Sequence, residues 1–61
     1  SEMSISIDMQ IKCISNEIER RKKTFPKLIE VGRITEEKAL AEIETMRAAY
    51  QTLTQLKGLV Q

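Results

Sequence analysis

Phe25-Pro-Lys-Leu-Ile-Glu-Val-Gly-Arg-Ile-Thr-Glu-Glu37 is the stretch that decides the fold. Gly32 follows a run of apolar residues, where the end of a helix favours the left-handed conformation that glycine adopts without a steric clash. Three residues later, the hydroxyl of Thr35 can accept a hydrogen bond from a free amide in the first turn of a second helix. Glu36 and Glu37 place carboxylates at the positive end of that helix dipole. The stretch therefore predicts a helix, a tight turn and a second helix.

The apolar spacing on both sides of this turn predicts an all-α fold, an antiparallel two-helix hairpin with a coiled-coil-like seam. We expect a helix over about 6–31 with a kink near Pro26, a turn over 32–34 and a helix over about 35–57. Gly58 is expected to fray or end the second helix. Folding the two arms together pairs four sets of seam residues: Phe25 with Ile43, Ile18 with Tyr50, Ile14 with Leu53, and Ile7 with Val60.

Two cations interrupt the apolar seam, Arg21 in the first arm and Lys57 in the second. On the exposed side of the first arm, acidic residues precede basic ones by four positions, which stabilises a helix modestly. The expected ion pairs are Asp8–Lys12, Glu17–Arg21 and Glu19–Lys23.

Residues 4–13 are open to two interpretations. Their apolar and polar residues alternate, which is typical of a half-buried strand. The helical interpretation covers more of the chain and offers Ser4 or Ser6 as the N-cap. We expect residues 1–5 to be disordered or extended, with Ser1 and Glu2 as an expression remnant, and 6–61 to form a single hairpin domain. An extended arm over 4–13 is the alternative.

Composition limits the chemistry that the chain can perform. The 61 residues include one Cys and no His and carry a net charge of +1. These counts exclude an intramolecular disulfide framework and the common zinc sites, so we expect no metal and no cofactor. Cys13 is most simply a small apolar helix residue. No apolar stretch approaches the ~20 residues of a membrane span, and no signal peptide is evident, so a cytoplasmic protein is expected.

More apolar residues are present than one hairpin seam uses. Surplus apolar surface marks an interface, and a chain this short usually gains stability by self-association. We therefore expect a homo-oligomer, with a dimeric four-helix bundle favoured; the alternative is a groove for a partner's helix. The surplus residues are Ile5, Met9 and Cys13 on the first arm and Leu40, Ala49, Leu56 and Leu59 on the second. The predicted self-association residues are Ile5, Met9, Leu56 and Leu59.

Cations concentrate just before the turn, which indicates a surface for an acidic protein or for nucleic acid. Interleaved glutamates and a low aromatic content weigh against nucleic acid. Phe25 or Tyr50 could anchor a partner if exposed, although both are also seam positions. No nucleophile–base pair and no Gly-rich phosphate loop is present, so no catalytic residue and no enzyme activity are expected. The predicted binding residues are Arg20, Arg21, Lys22, Lys23, Lys27 and Arg33.

The sequence resembles a family of very short phage and prophage helical proteins. That family has an R-x-x-x-Tyr-Pro segment, then Gly-Arg-Met/Leu-Thr and a second helix; Phe25 stands here for the tyrosine and Ile34 for the methionine. The turn also resembles the SHOCT helix-turn-helix, an oligomerisation-type module. The matching residues are Ile11-x-Cys13-Ile14-x-x-Glu17-Ile18-x-x-Arg21, Phe25-Pro26, Gly32-Arg33-Ile34-Thr35, Ala39, Ile43 and Met46.

The phage resemblance implies a viral or prophage setting and carries no established activity. With it, the sequence predicts a non-enzymatic, phage-encoded interaction protein that oligomerises and binds or inhibits a host or phage protein. A defence, recombination or transcription component is the expected partner class. The alternatives are a nucleic-acid-binding protein that uses the basic residues of 20–33, and a purely structural oligomerising module.

Overall fold

The computed structural model describes residues 5–60, except for the side chain of Val60, and shows two helices over this range. Helix α1 spans Ile7–Glu30 and helix α2 spans Glu36–Val60. Residues 5–60 contain no strand, so the helical interpretation of 4–13 is confirmed from Ile7 onward. The predictions for residues 1–4 and for Gln61 lie outside the described residues.

The turn between the helices closes as the sequence predicts. The amide of Arg33 donates to the carbonyl of Leu28 at 2.9 Å, and the amide of Gly32 donates to the carbonyl of Ile29 at 3.1 Å. Gly32 has φ +79°, the left-handed conformation that this pair of bonds requires. The turn therefore satisfies the last free carbonyls of α1 and directs the chain back towards α2.

Each helix starts at a hydroxyl cap. The amide of Met9 donates to the Ser6 hydroxyl at 3.1 Å, and the amide of Lys38 donates to the Thr35 hydroxyl at 3.1 Å. Both bonds satisfy an amide that the first helical turn leaves free. The cap predicted at Thr35 is confirmed, and Ser6, one of the two caps predicted for α1, is confirmed as its N-cap.

The two residues expected to disturb the helices are both incorporated in them. Pro26 lies inside α1, which continues for four residues beyond it. Gly58 lies inside α2, so the prediction that it ends the helix near Lys57 is wrong. A C-terminal glycine stops a helix by adopting positive φ, and among residues 5–60 only Gly32 does so. Gly58 keeps helical dihedrals, and α2 extends to Val60.

The hairpin is thin and has a small core. Ile18, Phe25 and Ala39 are its buried apolar residues within the described range. The chain measures 43 × 26 × 16 Å. Its radius of gyration is 14.3 Å, whereas a compact domain of this length has about 10–11 Å. The molecule is therefore a single layer of two helices.

Two of the four predicted seam pairs share a groove in the structure. Ile14 and Leu53 line one groove, and Ile18 and Tyr50 line another. The pairing of Phe25 with Ile43 stays a prediction. The pairing of Ile7 with Val60 depends on a side chain outside the described part of the molecule.

Candidate interaction surface

Both cations that interrupt the apolar seam form ion pairs across the hairpin. Arg21 of α1 donates from Nη1 to Oε1 of Glu42 on α2, at 2.7 Å. Lys57 of α2 pairs through Nζ with Oδ1 of Asp8 on α1. One pair lies in the turn-proximal half of the hairpin and the other at its open end. The seam is therefore partly ionic, with each cation held by the opposite helix.

Arg21 is committed to contacts within the chain. Its Nε donates to Oε2 of Glu17 at 2.7 Å, and its guanidinium lies 5.9 Å from the centre of the Phe25 ring. The hydrogen bond from Arg21, together with a second from Arg20, lowers the pKa of Glu17 below its usual value. The bond to Glu17 likewise raises the pKa of Arg21. Arg21 thus links the two helices while its side chain stays partly exposed.

The other five predicted binding cations divide into two groups. Arg20 pairs with Glu17 at 3.2 Å, and Lys22 pairs with Glu19 at 3.6 Å. The remaining cations are exposed and form no ion pair with any residue of the described part of the chain: Lys23, Lys27 and Arg33.

Helical spacing places three of the predicted binding cations on one side of α1. Arg20, Lys23 and Lys27 are separated by three and four residues, so they follow one another along the same side. We call these three residues the basic stripe. Their side chains are exposed, and Arg33 follows them just after the turn. The stripe is therefore an exposed, continuous cationic part of the predicted binding set.

The expected ion pairs within α1 form only in part. Glu17–Arg21 is confirmed. The predictions of Asp8–Lys12 and Glu19–Lys23 are wrong, because Asp8 pairs with Lys57 of α2 and Glu19 pairs with Lys22.

Neither aromatic residue is a free anchor for a partner. Phe25 is 8% exposed and belongs to the core. Tyr50 is half-buried and lines a shallow groove together with Ser15, Ile18 and Arg47. The seam positions that the sequence gives these two residues account for their burial.

The four predicted self-association residues are all exposed. They are large apolar side chains near the open end of the hairpin: Ile5 is 54% exposed, Met9 59%, Leu56 46% and Leu59 83%. Val31 and Leu40 are also exposed, nearer the turn. A concentration of apolar surface of this kind is typical of an interface.

A groove of about 500 Å³ opens beside these residues, and we call it the open-end groove. It is lined by Ile5, Met9, Gln10, Cys13, Ile14 and Leu53. The sequence indicates an apolar stripe of Ile5, Met9 and Cys13 and, separately, the seam pair Ile14–Leu53, but not that the two meet in one groove, which depends on how the helices pack. Every lining side chain is uncharged, and Cys13 is exposed.

Within residues 5–60, no group of three His, Cys, Asp or Glu side chains could hold a metal ion. Over the same range, neither helix combines the length and the apolar character needed to cross a membrane. No protein-family model matches this chain, and no curated protein or solved structure matches it either.

Proposed function

We propose that this protein is a small, non-enzymatic interaction protein that self-associates and binds another protein through basic and apolar surfaces of its helices. Its resemblance to short phage proteins supports a setting in a bacterial cytoplasm. The proposed partner is a host or phage protein of defence, recombination or transcription, which the hairpin inhibits by covering an acidic site.

One observation carries the self-association. The hairpin buries three apolar side chains in its described part and leaves six large ones exposed. Stable domains normally pack two layers of secondary structure around a core, and this chain supplies one layer. A second layer from another copy would remove the exposed side chains from water, which is the dominant favourable term in association.

The basic stripe supports the binding of an acidic partner. Arg20, Lys23 and Lys27 present their charges along one side of α1, and Arg33 extends the cationic surface past the turn. A complementary acidic surface would be drawn to this side, since charge complementarity speeds association and selects partners. Arg21 contributes less to this surface, because it is half-buried and bonded to Glu17 and Glu42.

Light scattering tests self-association. The wild-type protein should have twice the mass of one chain at micromolar concentrations and above. Met9→Glu/Leu56→Glu should shift the protein to lighter species, because it places charges on the proposed interface. Thr24→Glu/Thr45→Glu is the matched control, since both threonines are exposed, lie outside the surplus apolar set and add the same charge, and it should leave the mass unchanged. A folded wild-type monomer across this range would contradict the proposal.

Charge reversal tests the basic stripe. Immobilised wild-type protein should retain a specific protein from a bacterial lysate, and Arg20→Glu/Lys23→Glu/Lys27→Glu should not. The matched control is Lys12→Glu/Lys38→Glu/Arg47→Glu, which changes the net charge equally but leaves the stripe intact. Equal retention by both triple variants would show that the stripe is not the binding surface.

Nucleic acid is the second candidate ligand, because Lys23, Lys27 and Arg33 have no ion pair within residues 5–60. Fluorescence titration of labelled single- and double-stranded DNA at two salt concentrations tests whether nucleic acid, rather than an acidic protein, binds the stripe. Contacts to phosphate would make affinity fall steeply with salt, and the stripe variant would abolish binding. Absence of binding even at low salt would remove this candidate.

A further inference from the structure

The chain exposes more surface than a compact protein of its mass. Its accessible surface is 5182 Å², whereas a folded monomer of 7.0 kDa exposes about 4,000 Å². The surplus of about 1,100 Å² per chain exceeds the roughly 800 Å² that each partner buries in a standard interface, and two such contributions reach the size of homodimer interfaces. The surplus is therefore of the size that one further copy of this chain would cover.

Charge determines which surface of the chain can pack against the same surface of a second copy. In a two-fold dimer the same patch lies on both subunits, so any charge on it is brought close to its equivalent. The basic stripe would repel its own copy, because Arg20, Lys23 and Lys27 all carry the same sign. The open-end groove avoids this repulsion, since its six lining side chains are all uncharged.

The open end also carries exposed apolar side chains outside the groove. Beside the hollow formed by Met9, Cys13 and Leu53, α2 carries Leu56 and Leu59, two of the exposed large side chains. Efficient packing places protruding side chains of one element into hollows of the other. A two-fold axis near the groove would bring the leucines of each copy to the hollow of the other.

We infer that a second copy of this chain occupies the open-end groove, so that Cys13 of each copy is buried at the dimer interface. The inference rests on the self-association proposed above and specifies its surface.

The native thiol tests this inference without a mutation, because Cys13 is the only cysteine in the sequence. Its rate of reaction with dithionitrobenzoate is measured at protein concentrations below and above the dimer midpoint found by light scattering. The rate should fall about tenfold between a concentration far below the midpoint and one roughly fifty times above it, where only about a tenth of the chains remain monomeric. A rate that stays constant while the mass doubles would overturn the inference and leave self-association standing. A mass that never doubles would overturn both.

A second thiol outside the groove provides the matched control. Gln51 is exposed and lines a different groove, with Ser15 and Arg47. In Gln51→Cys, which keeps Cys13, the mass should still double; the thiol at position 51 should react at the same rate on both sides of the midpoint, while the Cys13 thiol slows. Equal slowing at position 51 would mean that the second copy does not select the open-end groove, and it would also overturn the inference.

Discussion

Arg21 bridges the two helices of the hairpin by donating hydrogen bonds to Glu17 on its own helix and to Glu42 on the other, each at 2.7 Å. The planar guanidinium can bind two carboxylates at once, which a lysine ammonium does with less defined geometry. Because Arg21 also lies over Phe25, the bridge adjoins the core. At the open end, Lys57 and Asp8 form the other cross-helix pair. The two pairs help to fix the register of α1 against α2.

The Arg21 bridge predicts unequal effects of two glutamate substitutions on α2. Glu42→Gln should lower the melting temperature, because it weakens the charge-assisted bond that links the helices. Glu44→Gln should have little effect, since Glu44 is exposed and forms no ion pair within residues 5–60. Circular dichroism melts at one fixed protein concentration measure both, since association alters apparent stability. Equal melting temperatures for the two variants would contradict the bridge.

The same bridge predicts how stability depends on pH. The hydrogen bonds from Arg21 and Arg20 lower the pKa of Glu17 below the unfolded value of 4.5. The unfolded state therefore binds the proton more readily, so the contribution of Glu17 is fully present above pH 4.5 and is lost as pH falls through the folded pKa. At pH 7 the wild-type protein should have a higher melting temperature than Glu17→Gln. The difference between the two melting temperatures should shrink below pH 4.5. A difference of constant size from pH 7 to pH 3 would show that the ionised carboxylate is not its source.

The sequence predicts the turn well, because its determinants are local. Gly32 and Thr35 act within a few residues of their own positions, and both behave as the pattern requires. The ion pairs of Asp8 and Arg21 with α2 depend instead on contacts between distant parts of the chain. The sequence shows Arg21 and Lys57 only as gaps in an apolar seam, without indicating the carboxylates that bind them.

The candidate site likewise combines features that follow from the sequence with features that only the packing of the helices creates. Exposure of Met9 and Leu59 follows from helical spacing, because the seam uses other positions. The open-end groove requires Leu53 to approach Cys13, and that approach depends on how the helices pack. The sequence also places Arg21 and Lys23 in one basic cluster. Only the folded hairpin shows that Arg21 bonds to α2, whereas Lys23 is exposed and forms no ion pair within residues 5–60.

The cap of α2 predicts a measurable loss of stability. Thr35→Ala removes the hydroxyl that accepts the amide of Lys38, which should cost about 1 kcal/mol. Thr54→Ala is the control, because the Thr54 hydroxyl only bonds carbonyls of its own helix and alanine favours helix more than threonine does. Urea denaturation followed by circular dichroism should show a loss for Thr35→Ala and no loss for Thr54→Ala. Equal midpoints would indicate that the cap contributes nothing measurable.

The two glycines predict opposite effects of the same substitution. At both Gly32 and Gly58 an added Cβ would meet nothing within 4 Å, so crowding plays no part in either case. Gly32 has φ +79°, where an L-residue is strained, so Gly32→Ala should destabilise by about 1–2 kcal/mol. Gly58 lies inside α2, where alanine restricts the unfolded chain and favours helix, so Gly58→Ala should stabilise by up to about 1 kcal/mol. Denaturant titrations of both variants at one protein concentration measure the difference. A stabilising Gly32→Ala would mean that the turn does not require left-handed backbone there, and a destabilising Gly58→Ala would mean that α2 ends before residue 58 in solution.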